Sequence, residues 1–143
     1  MQRTEPWAFL DAWRGKTFEG EWPSLVELFR ISVERFPERH CFTIYDPARR
    51  SLTYREALAA VEAVARRLRA DGVADGDRVA VSGKNGIEWA VAYLAALFAG
   101  AVVVPIDAQL SDAEVDNLLK ASGARAFFVD GDRASAGSLE IGR

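Results

Sequence analysis

Gly83-Lys84-Asn85-Gly86 is the segment whose residue types and spacing come nearest to chemistry. Between a strand and a helix, exposed N–H groups and the positive end of the helix dipole can hold an anion, and Lys84 adds a charge. A nucleotide-phosphate loop of the Gly-x-x-x-x-Gly-Lys-Ser/Thr type is excluded, because Arg78 stands five residues before Gly83 and Asn85 follows Lys84. The segment reads first as a strand-to-helix turn capped by Asn85 and second as an anion or ligand contact. A Gly-x-x-Gly clamp for single-stranded RNA belongs to other helical surroundings and is helped by a basic groove. Lys84 and Asn85 are therefore the two residues nominated for substrate contact, and no residue is nominated as catalytic.

Asp107 follows an expected strand, where carboxylates often face ligands. A phosphoacceptor aspartate would need further acids and a lysine at other strand ends, and only Asp46 and Asp130 are available, so Asp107 reads as a loop residue. The single histidine, His40, and the single cysteine, Cys41, leave no Cys/His metal set and no internal disulfide. No metal site is expected. No Gly-x-Ser-x-Gly elbow is present, and one histidine permits at most one Ser/His/Asp set.

The elements that must position these residues announce themselves through their starts. Ser24-Leu-Val-Glu27, Thr53-Tyr-Arg-Glu56 and Ser111-Asp-Ala-Glu114 match the capping box, and Asn85-Gly-Ile-Glu88 is a looser version. The helix opening at Thr53 carries Leu58, Val61, Ala65 and Leu68 at helical spacing and ends at Gly72. From Ile87 to Ala99 every residue but Glu88 is apolar, so that helix has almost no face for water. Strands are expected at Cys41 to Tyr45 and Ser51 to Tyr54, as a hairpin or bent edge about Asp46-Pro47, and at Arg78 to Ser82, Ala101 to Ile106 and Ala126 to Val129. Val79-Ala-Val and Val102-Val-Val show little alternation, which predicts parallel strands buried on both faces. Alternating helices and strands predict a three-layer α/β arrangement with a mostly parallel sheet.

Composition narrows the classes further. With 143 residues, 18 Lys+Arg, 21 Asp+Glu and a net charge of −3, the chain has one domain's length and no general attraction for nucleic acid or an anionic membrane. The apolar run from Ile87 would make a helix about 20 Å long, short of the roughly 30 Å of a bilayer core, so no transmembrane segment is expected. Nothing resembles a secretory signal, and a reducing cytoplasm is the expected location. Residues 1–22 form an aromatic-rich segment holding Trp7, Trp13 and Trp22, which either folds back on its own core or meets a partner. Residues 131–143 read as a linker-like tail.

The order of the pieces carries a resemblance. Leu52-Thr-Tyr-Arg-Glu-Ala-Leu58, then Gly76-Asp-Arg-Val-Ala-Val-Ser82, then Lys84-Asn-Gly-Ile-Glu-Trp89 resemble successive segments of the AMP-forming acyl-CoA synthetases and their adenylating relatives. Ala95-Ala-Leu-Phe-Ala-Gly-Ala-Val-Val-Val-Pro-Ile-Asp107 is similar to that family's second core motif. Leu110 to Glu114 and Ala121 to Val129 follow as its next helix and strand, and Pro23 to Phe29 with Phe36-Pro37 fit its first helix. The resemblance covers residues 23–130 and implies the N-terminal subdomain of the adenylate-forming enzyme fold. It also implies an activity for the parent: a carboxylate attacks the α-phosphorus of ATP, giving an acyl-adenylate and pyrophosphate, and the acyl group passes to coenzyme A.

ATP, Mg²⁺ and coenzyme A are implied for that parent, and no cofactor for this chain. The phosphate loop, the Mg²⁺ carboxylate and the lid lysine of the family do not occur in it, so the chain by itself is expected to be silent. Its expected partners are the rest of the enzyme and a fatty acid or other carboxylate, with self-association through unpaired surfaces. Glu88-Trp89 and Val104-Pro-Ile-Asp107 look most like the long-chain fatty acid branch. The alternative is a stand-alone, non-catalytic binding domain of the same fold, which a stop codon after Arg143 would favour over a continuing reading frame.

Overall fold

The computed structural model describes residues 5–131 and 133. In chain order they form a 3₁₀ turn (Ala8–Ala12), α1 (Leu25–Arg35), β1 (His40–Ile44), β2 (Arg50–Thr53), α2 (Tyr54–Ala70), β3 (Arg78–Ser82), α3 (Ile87–Phe98), β4 (Val102–Ile106), α4 (Asp112–Ser122) and β5 (Ala126–Phe128).

Three helix starts are reciprocal caps, as the spacing predicts. The hydroxyls of Ser24, Thr53 and Ser111 accept from the backbone N–H of Glu27, Glu56 and Glu114, whose carboxylates accept from the cap N–H in return. These bonds hold all three glutamates below the ordinary carboxylate range; the backbone N–H of the cap is the main cause at Glu27 and Glu56, the hydroxyl at Glu114.

The fourth start differs from expectation. Gly86, not Asn85, takes the cap position of α3, in extended backbone and with no side-chain bond to the helix. Asn85 lies one residue too far upstream to serve the free N–H groups of the first turn. At the other end of α3 the chain turns at once into β4 through Gly100, at φ +80°, where a Cβ would run into the Asp75 carboxylate.

β3, β4 and β5 make a parallel sheet in the order β4-β3-β5, with Ala80 opposite Val104 and Phe127. β1 and β2 form a separate antiparallel pair, and Tyr45, expected in the first strand, lies outside it and is exposed. Central β3 is buried from Val79 to Ser82. β4 corrects the expectation of burial on both faces. It is an edge strand, with Val102 53% exposed and Pro105 exposed, because β3 flanks it on one side only among the described residues.

The chain passes from β3 to β4 in one direction and back across to β5 in the other. Two right-handed crossovers of opposite direction put their helices on opposite faces. Accordingly, α2 and α3 pack with Phe42, Ile44 and Leu52 of the hairpin on one face, around Val61, Leu68, Val79, Val91 and Ala95. α4 covers the other face, where Val115 and Leu119 meet Ala80 and Ile106. Every residue of α3 except Glu88 is at least half-buried, as its composition requires.

The aromatic N-terminal segment folds back. Leu10 and Phe18 bury against Ile31 of α1, with Phe9, Trp13 and Leu28 alongside. Trp7 and Trp22 stay about half exposed and meet edge to face at 6.0 Å. Of the expected tail, only Gly131 and Arg133 belong to the described residues. Among the described residues no helix is long and apolar enough to cross a membrane.

Candidate functional site: a cleft at the strand ends

β3 and β4 are neighbours in the sheet, yet their following helices leave to opposite faces. Loops that part in this way open a crevice at the carboxyl ends of the strands, the usual ligand position in open α/β sheets. Here it is an open cleft of about 600 Å³, with Gly83, Lys84, Asn85 and Trp89 on one wall and residues 105–109 on the other.

Each wall is held by a carboxylate. On the first, the backbone N–H of Lys84 donates to Asp130 Oδ2 at 2.8 Å, reaching from the end of β3 to the residues after β5. The same carboxylate lies so close to Gly83 that a Cβ there would sit 2.6 Å from Oδ1, which is why a glycine stands at this point. On the second wall, the N–H of Gln109 donates to Asp107 Oδ1 at 2.9 Å, an Asx turn that shapes the loop leading to α4. Trp89 completes the first wall from the first turn of α3 and stacks on Tyr93, with ring centroids 5.2 Å apart. Ser82, 3% exposed at the end of β3, has no partner for its hydroxyl among the described residues.

The start of α3 is also strapped to the hairpin. Glu88 accepts from Arg50 Nη2 of β2 at 2.7 Å, and that bond is the first cause of a carboxyl held below its ordinary range.

The nominated pair, Lys84 and Asn85, thus lines the cleft together, and Asp107 faces it from the opposite wall. Asp46 lies in the turn between β1 and β2, outside the parallel sheet, so it does not join Asp107 and Asp130 in a phosphoacceptor set. Cys41 is half-buried, and burial pushes its thiol up to about 11, so it stays protonated at neutral pH and is a poor nucleophile. Among the described residues no group of three or more His, Cys, Asp or Glu is placed to hold a metal. The described residues line the cleft with the Lys84 ammonium, the Asp107 carboxylate, the amides of Asn85 and Gln109, and an indole ledge. These groups bind and orient. Trp89 and Gln109 are not among the residues nominated for contact, and Asp130 enters the sequence reading only as a candidate acid for a phosphoacceptor set; a tryptophan in the first turn after a strand-end loop is the available signal for the first, and a carboxylate after an expected strand the signal for the last.

The layered parallel fold is that of the N-terminal subdomain of adenylate-forming enzymes. The inhibitor-bound N-terminal domain of FACL13 from Mycobacterium tuberculosis superposes with a TM-score of 0.74 at 27% identity, covering 80% of this chain and 28% of that one. Feruloyl-CoA synthase of Amycolatopsis sp is 38% identical over 129 residues, 87% of this chain and 24% of that protein. Surfactin synthase subunit 2 of Bacillus subtilis (strain 168) is 37% identical over 129 residues, 90% of this chain and 4% of that protein. Residues 29–141 match the AMP-binding enzyme family, and the chain belongs to it. It spans less than a third of the length of each of these relatives.

Proposed function

We propose that this chain is the N-terminal supporting subdomain of an ATP-dependent carboxylate–thiol ligase that forms an acyl-adenylate and then an acyl-coenzyme A thioester in the cytoplasm. By itself the subdomain carries out no chemical step. What carries this reading is the content of the cleft: groups that bind and orient, Lys84, Asn85, Gln109 and Trp89, at the topological switch point of a family member. ATP, Mg²⁺ and coenzyme A would be held by the remainder of the enzyme, which packs against the half-buried face of α3 and the β4 edge. This chain's own contribution is to place Lys84 and Asn85 against a polar or anionic part of a substrate.

Fatty acids are the first substrate class to try, on the strength of Glu88-Trp89 and Val104-Pro-Ile-Asp107. A hydroxycinnamate is the second reading, favoured by the 38% identity to feruloyl-CoA synthase. The test has two arms. The 143-residue chain should show no acid-dependent ATP–pyrophosphate exchange above a heat-killed control, and a signal there would overturn the supporting role. In a longer polypeptide containing it, kcat/KM for a long-chain fatty acid against ferulate decides between the acids. Lys84→Ala should then raise the KM of one substrate several-fold with kcat little changed, as loss of a uniform binding contact does.

A further inference from the structure

The two walls of the cleft come from loops about twenty residues apart, yet one short turn touches both the first wall and Leu110, the residue next to the second. That turn runs from Asp130 to Arg133 and is closed by the N–H of Arg133 donating to the Asp130 carbonyl at 2.9 Å. At its start the Asp130 carboxylate holds the Lys84 N–H and packs on Gly83. At its end the Arg133 guanidinium donates through Nη2 to the carbonyl of Leu110, and its Nε lies 3.6 Å from the Asp112 carboxylate at the start of α4. The arginine is partly buried there, and its Nη1 has no hydrogen-bond partner among the described residues.

We propose that Asp130 and Arg133 are positioning residues that set the span of the cleft between residues 83–85 and residues 107–110. Neither lines the cleft; each acts through the backbone of a wall. Asp130 fixes the loop that aims Lys84 and Asn85, and Arg133 fixes the loop that carries Asp107 and Gln109. A carboxylate is suited to the first task because it accepts from an N–H while sitting close against a glycine that has no Cβ to obstruct it. An arginine is suited to the second because its planar fork reaches a carbonyl and a carboxylate at once. The catalytic consequence rests on the proposed ligase reading, whereas the brace itself does not.

Amide hydrogen exchange in the 143-residue chain, followed by NMR, tests the brace. Asp130→Ala should speed exchange at the Lys84 amide about tenfold, the scale of one lost hydrogen bond, while Ala80 in central β3 keeps its protection. Asp130→Asn, which keeps an acceptor oxygen of the same shape, should restore most of the Lys84 protection. Arg133→Ala should speed the Gln109 amide and leave Lys84 as it was. Unchanged exchange at Lys84 in Asp130→Ala, or a rise shared equally with Ala80, would overturn the proposal. In the longer ligase, Asp130→Ala should raise the same KM that Lys84→Ala raises. A faster Lys84 amide with no change in that KM would uphold the brace and sink the substrate contact assigned to Lys84 and Asn85.

Discussion

The two faces of the parallel sheet are built unequally. On one, α2, α3 and the hairpin enclose a continuous core in which Val61, Val79, Ala95 and Ala96 have no exposed surface. On the other, α4 alone covers Ala80 and Ile106, and its buried contribution is Val115 and Leu119. The difference teaches where stability and function separate. The closed face holds the fold, and the thin face can give up packing to the loops that form the cleft.

Identical truncations on the two faces are the severest test of this contrast. Leu68→Ala should cost about 3 to 4 kcal/mol, because it removes a side chain from the larger core that two helices and the hairpin hold in place, and Leu119→Ala about 2 kcal/mol, because α4 can shift toward the sheet. Urea unfolding midpoints at constant slope measure both, and equal or reversed costs would break the comparison. The glycines that end the two helices repeat it at smaller scale. Gly100→Ala, after α3, combines a positive φ with a collision at Asp75 and should cost about 2 kcal/mol; Gly123→Ala, after α4, has open space around it and should cost about 1 kcal/mol, both read from thermal midpoints.

Helix caps should ignore the asymmetry. Thr53→Ala at α2 and Ser111→Ala at α4 each remove one local bond system and should each cost about 1 kcal/mol in the same unfolding assay, whichever face the helix covers. A large difference would mean that the cap reports packing rather than local bonding.

Smallest is the pH dependence. Glu56 and Glu114 have folded pKa values below the unfolded value of 4.5, so each contributes stability above that pH that is lost as pH falls through the folded value. Glu56→Gln and Glu114→Gln should flatten the acid limb of stability against pH, and the gap from the parent chain should close as pH falls through the lowered folded values. An acid limb of unchanged slope in the double variant would assign acid sensitivity elsewhere.

What was legible along the chain was what short-range chemistry decides. Three helix starts were plain because Ser24, Thr53 and Ser111 each carry their glutamate three residues on. The Lys84–Asn85 loop was placed correctly between strand and helix, but the cap shifted to Gly86 because its position depends on where the backbone leaves the extended conformation. The run Val102-Val-Val reads as doubly buried because it looks the same in a central strand and at an edge; strand order, a property of the whole sheet, decides. The cleft was half visible. One wall was nominated from its residues, whereas the facing of Gln109 to Lys84 and the bond from Asp130 arise only when distant segments fold together.

Pro105 in the edge strand carries a last consequence. The N–H of Val102 donates inward to the carbonyl of Asp77, so alternation along the strand turns positions 103 and 105 outward. Position 105 has no N–H to offer, and an approaching strand meets a gap in the ladder near the C-terminal end of β4. Near β5 lies a groove of about 380 Å³ toward α2, lined by Val64, Leu68, Phe127 and Phe128 among others. Because of the gap at Pro105, a segment that packs on the β4 edge meets it through side chains rather than as a continued ladder.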